Sequence, residues 1–101
     1  MTREEISEIN PEALLCDGFD EAIIGIADRI NLGPVVAYDV EKMIHIIMKD
    51  MEVNEEDLED GMDIESTKYQ MAYEYFDFNI MGAWMGEFTP VFIFKSELDK
   101  N

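Results

Sequence analysis

Val35-Val36-Ala37-Tyr38-Asp39-Val40-Glu41-Lys42-Met43-Ile44-His45-Ile46-Ile47-Met48-Lys49-Asp50-Met51 carries the two hydrophobic patterns that decide the fold. Val35–Tyr38 is short, apolar and rich in β-branched side chains, the reading of a strand. Asp39 is a good helix N-cap, and after it Val40, Met43, Ile44, Ile47, Met48 and Met51 recur at helical spacing. Upstream, Ala22-Ile23-Ile24-Gly25-Ile26 is a second strand-like run, separated from Val35 by the turn signal Asn31-Leu32-Gly33-Pro34. The two runs together predict a hairpin.

Working outward, Ala13-Leu14-Leu15-Cys16 reads as a further short strand stopped by Asp17-Gly18. Thr2 with Glu5 three residues later forms a capping box for a short helix that Pro11 ends. Downstream, Asn54 can cap a short acidic helix through Asp60, with Gly61 ending it. Ser66 or Thr67 then starts a second long helix in which Tyr69, Ala72, Tyr73, Phe76 and Ile80 share a face. Tyr75 and Phe78 widen that apolar surface, which predicts a helix contacted on more than one side. Gly82 and Gly86 bracket Ala83-Trp84-Met85, and Thr89–Phe94 reads as a strand before a polar, fraying tail at 95–101. The expectation is one α+β domain over 1–101, with an N-terminal segment at 1–11. It has about four short strands and two principal helices, Asp39–Met51 and Ser66–Met81.

Charge narrows the function. The chain of 101 residues holds 24 acids against 7 bases, a formal charge of −17. Nine of the acids fall between Asp50 and Glu65, with no Lys or Arg among them. Such a charge repels nucleic acid and anionic membrane, and attracts basic protein surfaces, including those that hold nucleic acid. A content of 48% apolar residues, with Trp, Tyr and Phe well represented, is too high for a disordered acidic tail. One cysteine, Cys16, excludes an internal disulfide and suits a reducing cytoplasm. Met1-Thr2-Arg3-Glu4-Glu5 lacks the apolar run of a secretory signal, and no stretch approaches the roughly 20 apolar residues of a membrane span.

Several side chains invite chemistry. An EF-hand register that places Gly61 at position 6 puts Leu58 third and Thr67 twelfth, where oxygen ligands are required, so that loop fails. Asp17, Asp20 and Glu21 could hold a divalent cation for phosphoryl chemistry, with Asp77 and Glu87 as further carboxylates. No Gly-rich phosphate loop or companion Lys accompanies them, and a turn in which Asp20 caps the next element is the favoured reading. His45 sits round the helix from the apolar stripe, near Lys42 and Lys49 with Glu41 four residues before it, and reads as solvent-facing. Cys16, in an apolar run followed by acids, should have a raised thiol pKa and be a poor nucleophile. One His and one Cys make no zinc set, and no cofactor is implied. Core packing is the favoured account of these aromatics, with Trp84 and Phe88, next to a turn, as candidate interface anchors if exposed.

The stretch Glu74-Tyr75-Phe76-Asp77-Phe78-Asn79, with Gly82-Ala83-Trp84 and Gly86-Glu87-Phe88-Thr89-Pro90, resembles small proteins encoded by tailed bacteriophages. Leu15-Cys16-Asp17-Gly18-Phe19-Asp20-Glu21-Ala22-Ile23-Ile24-Gly25 and Tyr38-Asp39-Val40-Glu41-Lys42 resemble the same group in the same order. The resemblance implies an origin and a host-cell cytoplasm, and no mechanism. The acidic insert from Asp50 to Glu65 departs from that pattern.

The expectation is therefore a non-enzymatic protein that binds a basic surface, a nucleic-acid decoy or inhibitor in character. Its contact residues would be Glu52, Glu55, Glu56, Asp57, Glu59, Asp60, Asp63, Trp84 and Phe88. The alternative is a small metal-dependent enzyme or accessory protein built on Asp17, Asp20 and Glu21. Exposed aromatics favour a homodimer and like charge opposes one, with the balance read as tipping to the dimer.

Overall fold

The computed structural model describes residues 1–54, 56, 58, 61 and 63–95. Glu55, Asp57, Glu59, Asp60, Met62 and 96–101 lie outside the described residues, and with them most of the expected acidic helix and tail. The described elements are α1 (Arg3–Ile9), β1 (Ile23–Arg29), β2 (Gly33–Asp39), α2 (Val40–Lys49), α3 (Ile64–Phe76) and β3 (Val91–Ile93). A 3₁₀ turn, Asp20–Ala22, precedes β1, and a π-helical turn, Asp77–Met81, continues α3. The class is α+β. The chain divides into two compact units, Met1–Lys42 with Trp84–Asn101, and Met43–Ala83, so α2 begins in the first and runs into the second.

In the first unit the sheet order is β1-β2-β3, with β1 antiparallel and β3 parallel to the central β2. β2 is buried on both faces from Val35 through Asp39, as a central strand must be. The hairpin register slips between Ile23 and Gly25, a bulge at which Ile24 turns to solvent. The turn itself is Ile30-Asn31-Leu32, tighter than the sequence signal, and Gly33 and Pro34 already belong to β2. Asn31 and Gly33 have φ of 64° and 88°, a left-handed path that Gly and Asn take at least cost. Arg29 fastens this turn: its Nε donates to the Gly33 carbonyl (3.2 Å) and its Nη2 to the Glu87 carbonyl (2.8 Å).

Ala13–Cys16 forms no strand, which corrects the count from four to three. Its hydrogen bonds go elsewhere: Leu14 N–H donates to the Phe88 carbonyl (3.2 Å) and Cys16 N–H to the Tyr38 hydroxyl (2.8 Å). An apolar run of four residues packs equally well as extended coil once such partners exist. Tyr38 is fully buried and stacks on Phe92, ring centroids 6.1 Å apart. Burial pushes the Tyr38 phenol up to about 12.

α1 starts at the capping box: Glu5 N–H donates to Thr2 Oγ1 (3.2 Å) and Thr2 N–H to Glu5 Oε1 (3.1 Å). Its Ile6 is buried, and Asn10 beyond it donates from Nδ2 to the Pro34 carbonyl (2.8 Å). Asp39 ends β2 and caps α2, its Oδ1 accepting from Lys42 N–H (3.4 Å). Its Oδ2 meets Lys95 Nζ at 3.0 Å, and its side chain is 5% exposed. Burial alone would raise this carboxyl. Lys95 and the Lys42 and Glu41 amides outweigh burial and hold it below the usual range.

In the second unit Met43, Ile44, Met48, Ala72 and Phe76 are buried, while Ile46 and Ile47 are half-buried. The N-cap of α3 is Asp63, not Ser66 or Thr67. Its Oδ1 accepts from Ser66 N–H at 2.6 Å, which gives the helix an earlier start and holds the carboxyl low. His45, Tyr69, Tyr73 and Phe76 form a ladder of ring contacts at 6.3, 6.5 and 6.5 Å. Tyr75 on α3 and Phe78 in the π turn are exposed, instead of contacted as the sequence predicts. In the π turn, Asn79 Nδ2 donates to the Tyr75 carbonyl (3.1 Å).

Asp39 joins three elements, and its loss is measurable. Asp39→Ala should lower the unfolding free energy by about 2 kcal/mol at neutral pH in urea titrations, with Asp39→Asn, which keeps a cap, losing less. Because the folded pKa lies below the unfolded value of about 3.9, the ionic contribution is present above that pH and lost as pH falls through the folded pKa. Asp39→Asn should therefore flatten the acid limb of the stability curve relative to wild type.

Candidate functional site

Lys49 and Lys68 are the only bases of Met43–Ala83, against eleven acids, a charge of −9 with His45 neutral. Its described carboxylates Asp50, Glu52, Glu56, Asp63, Glu65, Glu74 and Asp77 are all exposed. Of the expected contact residues, Glu52, Glu56 and Asp63 thus face solvent, Asp63 doubling as the α3 cap. Glu55, Asp57, Glu59 and Asp60 lie outside the described residues.

Trp84 and Phe88 belong to the other unit and fare differently. Trp84 is 75% exposed, as an anchor must be. Phe88 is half-buried, with its ring packed near Gly33: a Cβ placed there would lie 3.7 Å from the Phe88 ring carbon. Phe88 therefore lies beside the hairpin turn and is less exposed than Trp84. The loop between them is held by Thr89, whose Oγ1 donates to the Gly86 carbonyl (2.6 Å) and accepts from Met85 N–H (3.0 Å).

Asp17 and Asp20 do converge, but on Arg3. Arg3 Nε and Nη2 donate to the two Asp20 oxygens (2.8 and 2.9 Å), and Nη2 also donates to Asp17 Oδ1 (3.2 Å). The pairing with Asp20, then Asp17, keeps the guanidinium charged, and Arg3 in turn holds the Asp20 carboxyl low. The guanidinium thus gives the two carboxylates one shared positive charge. Among the described residues no group of three or more His, Cys, Asp or Glu is placed to hold a metal ion. Asp20 is the first residue of the 3₁₀ turn and does not cap it: Phe19 holds the N-cap position without a side-chain cap bond, and the Asp20 carboxylate is taken by Arg3, a correction to the expected Asp20 cap.

Cys16 is half-buried, and burial, reinforced by the charge of Asp17, pushes its thiol up as expected; the Tyr38 hydroxyl opposes them. His45 is exposed and lines an open cleft of about 330 Å³ with Met48, Lys49, Glu65 and Lys68. Sequence spacing could have found part of this cleft, since His45, Met48 and Lys49 share one side of α2. Met71, Tyr75 and Phe78, at spacings of 4 and 3 along α3 and the π turn, were equally legible as a row; Tyr75 and Phe78, expected to widen a contacted surface, face solvent.

Among the described residues no helix is long and apolar enough to cross a membrane. Trp84→Ala should leave the midpoint of thermal unfolding nearly unchanged, whereas Phe88→Ala should lower stability by about 1–3 kcal/mol. Equal losses in the two variants would mean that both rings pack alike. Comparison with protein-family models, curated proteins and solved structures finds no match for this chain.

Proposed function

We propose that this protein acts by binding, and that the carboxylates of Met43–Ala83 occupy a basic surface of another protein, one of the kind that otherwise holds nucleic acid. The observation that carries this reading is the charge of that unit, eleven acids against two lysines, with its described acids exposed to solvent. Holding so many like charges on one folded unit costs stability. Solubility would be obtained with fewer charges, better spread. A complementary basic patch converts the same repulsion into attraction, speeds encounter, and leaves the phosphates of a competing nucleic acid without counter-charge. The resemblance to small tailed-bacteriophage proteins fits a partner in the cytoplasm of an infected bacterium. Metal-dependent catalysis gains no comparable support, since Arg3 sits between Asp17 and Asp20.

The test is displacement of fluorescent duplex DNA from a basic DNA-binding domain, followed across salt concentrations. Wild type should displace the DNA steeply better at low salt, and EDTA should make no difference. A single exposed pair is worth only about 0–1 kcal/mol, so any one reversal should matter little. Reversing Glu55, Glu56, Glu59 and Asp60 together should slow association strongly while circular dichroism stays unchanged. If the fourfold variant associates as fast as wild type at low salt, the block is solvated surface only. Cys16→Ala with His45→Ala should displace DNA as wild type does; loss of displacement in that folded double variant would mean that the activity depends on one of the two side chains.

A further inference from the structure

The outer side of α3 combines two features that point to one kind of partner. Met71, Tyr75 and Phe78 are 44, 51 and 84% exposed, and their spacings of 4 and 3 set them in a single row. The buried Ala72 and Phe76 each follow a residue of the row in sequence and so lie about a quarter turn round the helix from it. Glu74 and Asp77, both exposed, flank it. The π turn begins within the row, and the Asn79 side chain fastens the Tyr75 carbonyl there. π turns are energetically poorer than α-helix and recur at functional sites.

Aromatic side chains give large contact area at low entropic cost, and Met adapts its shape to what covers it. An i, i+4, i+7 row of such residues is the usual footprint of helix-on-helix recognition. Three side chains cover one stripe and not a broad surface, so a single helix is the occupant that fits. The flanking carboxylates choose its charge. A second copy of this chain brings the same Glu74 and Asp77 against themselves, at −17 per chain. A helix whose apolar stripe is bordered by Lys or Arg satisfies both features at once.

We propose that Met71, Tyr75 and Phe78 dock a basic amphipathic helix of the partner, with Glu74 and Asp77 pairing along its flank. The proposal rests on the acidic-surface reading above and adds the shape of what binds.

Two synthetic peptides serve as probes: a helix-forming Leu/Lys amphipathic peptide, and a Lys/Ser/Gly peptide of equal charge with no apolar side. Binding is read by fluorescence anisotropy at low and high salt. Wild type should bind the amphipathic peptide more tightly than the equal-charge one. Tyr75→Ser with Phe78→Ser should weaken the amphipathic peptide by about tenfold or more and leave the equal-charge peptide unaffected. Glu74→Lys with Asp77→Lys should weaken both and reduce the salt dependence. Each variant is checked by circular dichroism, and the exposure of all four positions makes loss of fold an unexpected result. If wild type binds both peptides equally, or the Tyr75/Phe78 variant binds as wild type does, helix docking is overturned and the acidic-surface reading survives. If neither peptide binds at low salt, both fail. A wild-type dimer mass in light scattering that reverts to monomer in the Tyr75/Phe78 variant would make a second copy the occupant and overturn the proposal.

Discussion

One carboxylate, that of Asp39, is the junction on which the first unit depends. It closes β2, caps α2 and receives Lys95 from beyond β3. A buried carboxylate is tolerable only with its charge and lone pairs satisfied. Here the satisfaction comes from the first turn of α2 and from Lys95 beyond β3. The neighbouring residue Tyr38 plays a similar part with a neutral group, its hydroxyl receiving the Cys16 amide and its ring stacking on Phe92. The central strand thus carries two polar side chains at its end, each tied to a segment that forms no strand with it or only a short one.

Beside these few strong ties stands a large repulsion. The two units share the −17 nearly equally, since Met43–Ala83 accounts for −9 and the remainder for −8. Three of the four described basic side chains of the first unit are used structurally: Arg3 gathers Asp17 and Asp20, Arg29 fastens the hairpin turn to the Glu87 loop, and Lys95 neutralises Asp39. In the second unit both lysines border one cleft with His45. The acids of that unit therefore keep a net field that few local cations offset, a field that repels like surfaces and attracts opposite ones.

Local grammar was the legible part of the sequence. The capping box at Thr2, the cap at Asp39, the hairpin and the strand at Val91–Ile93 follow from short-range rules of turn, cap and period. Long-range ties were not legible. Nothing in Leu14 or Cys16 says that its amide will bond the Phe88 carbonyl or the Tyr38 hydroxyl, and those bonds made coil out of an expected strand. The start of α3 was misplaced because Asp63, Ser66 and Thr67 are all competent caps, and spacing does not rank them. Exposure was the hardest to read. Phe88, Trp84, Tyr75 and Phe78 look alike as letters, yet one packs at Gly33 and three face water.

The parallel pairing of β2 with β3 also shapes how the chain reaches its fold. β1 and β2 are joined by three residues and can zip within microseconds, on the order of 1–10 μs for a hairpin. Val91 meets Ala37 only after the whole acidic unit has been bridged, and that closure costs entropy before any ladder bond repays it. Until then β2 is half-dressed: Asp39 lacks Lys95, Tyr38 lacks Phe92, and one edge of the strand is open. A nascent edge of this kind invites mispairing between chains. The surplus of carboxylates keeps such half-made chains apart by like-charge repulsion.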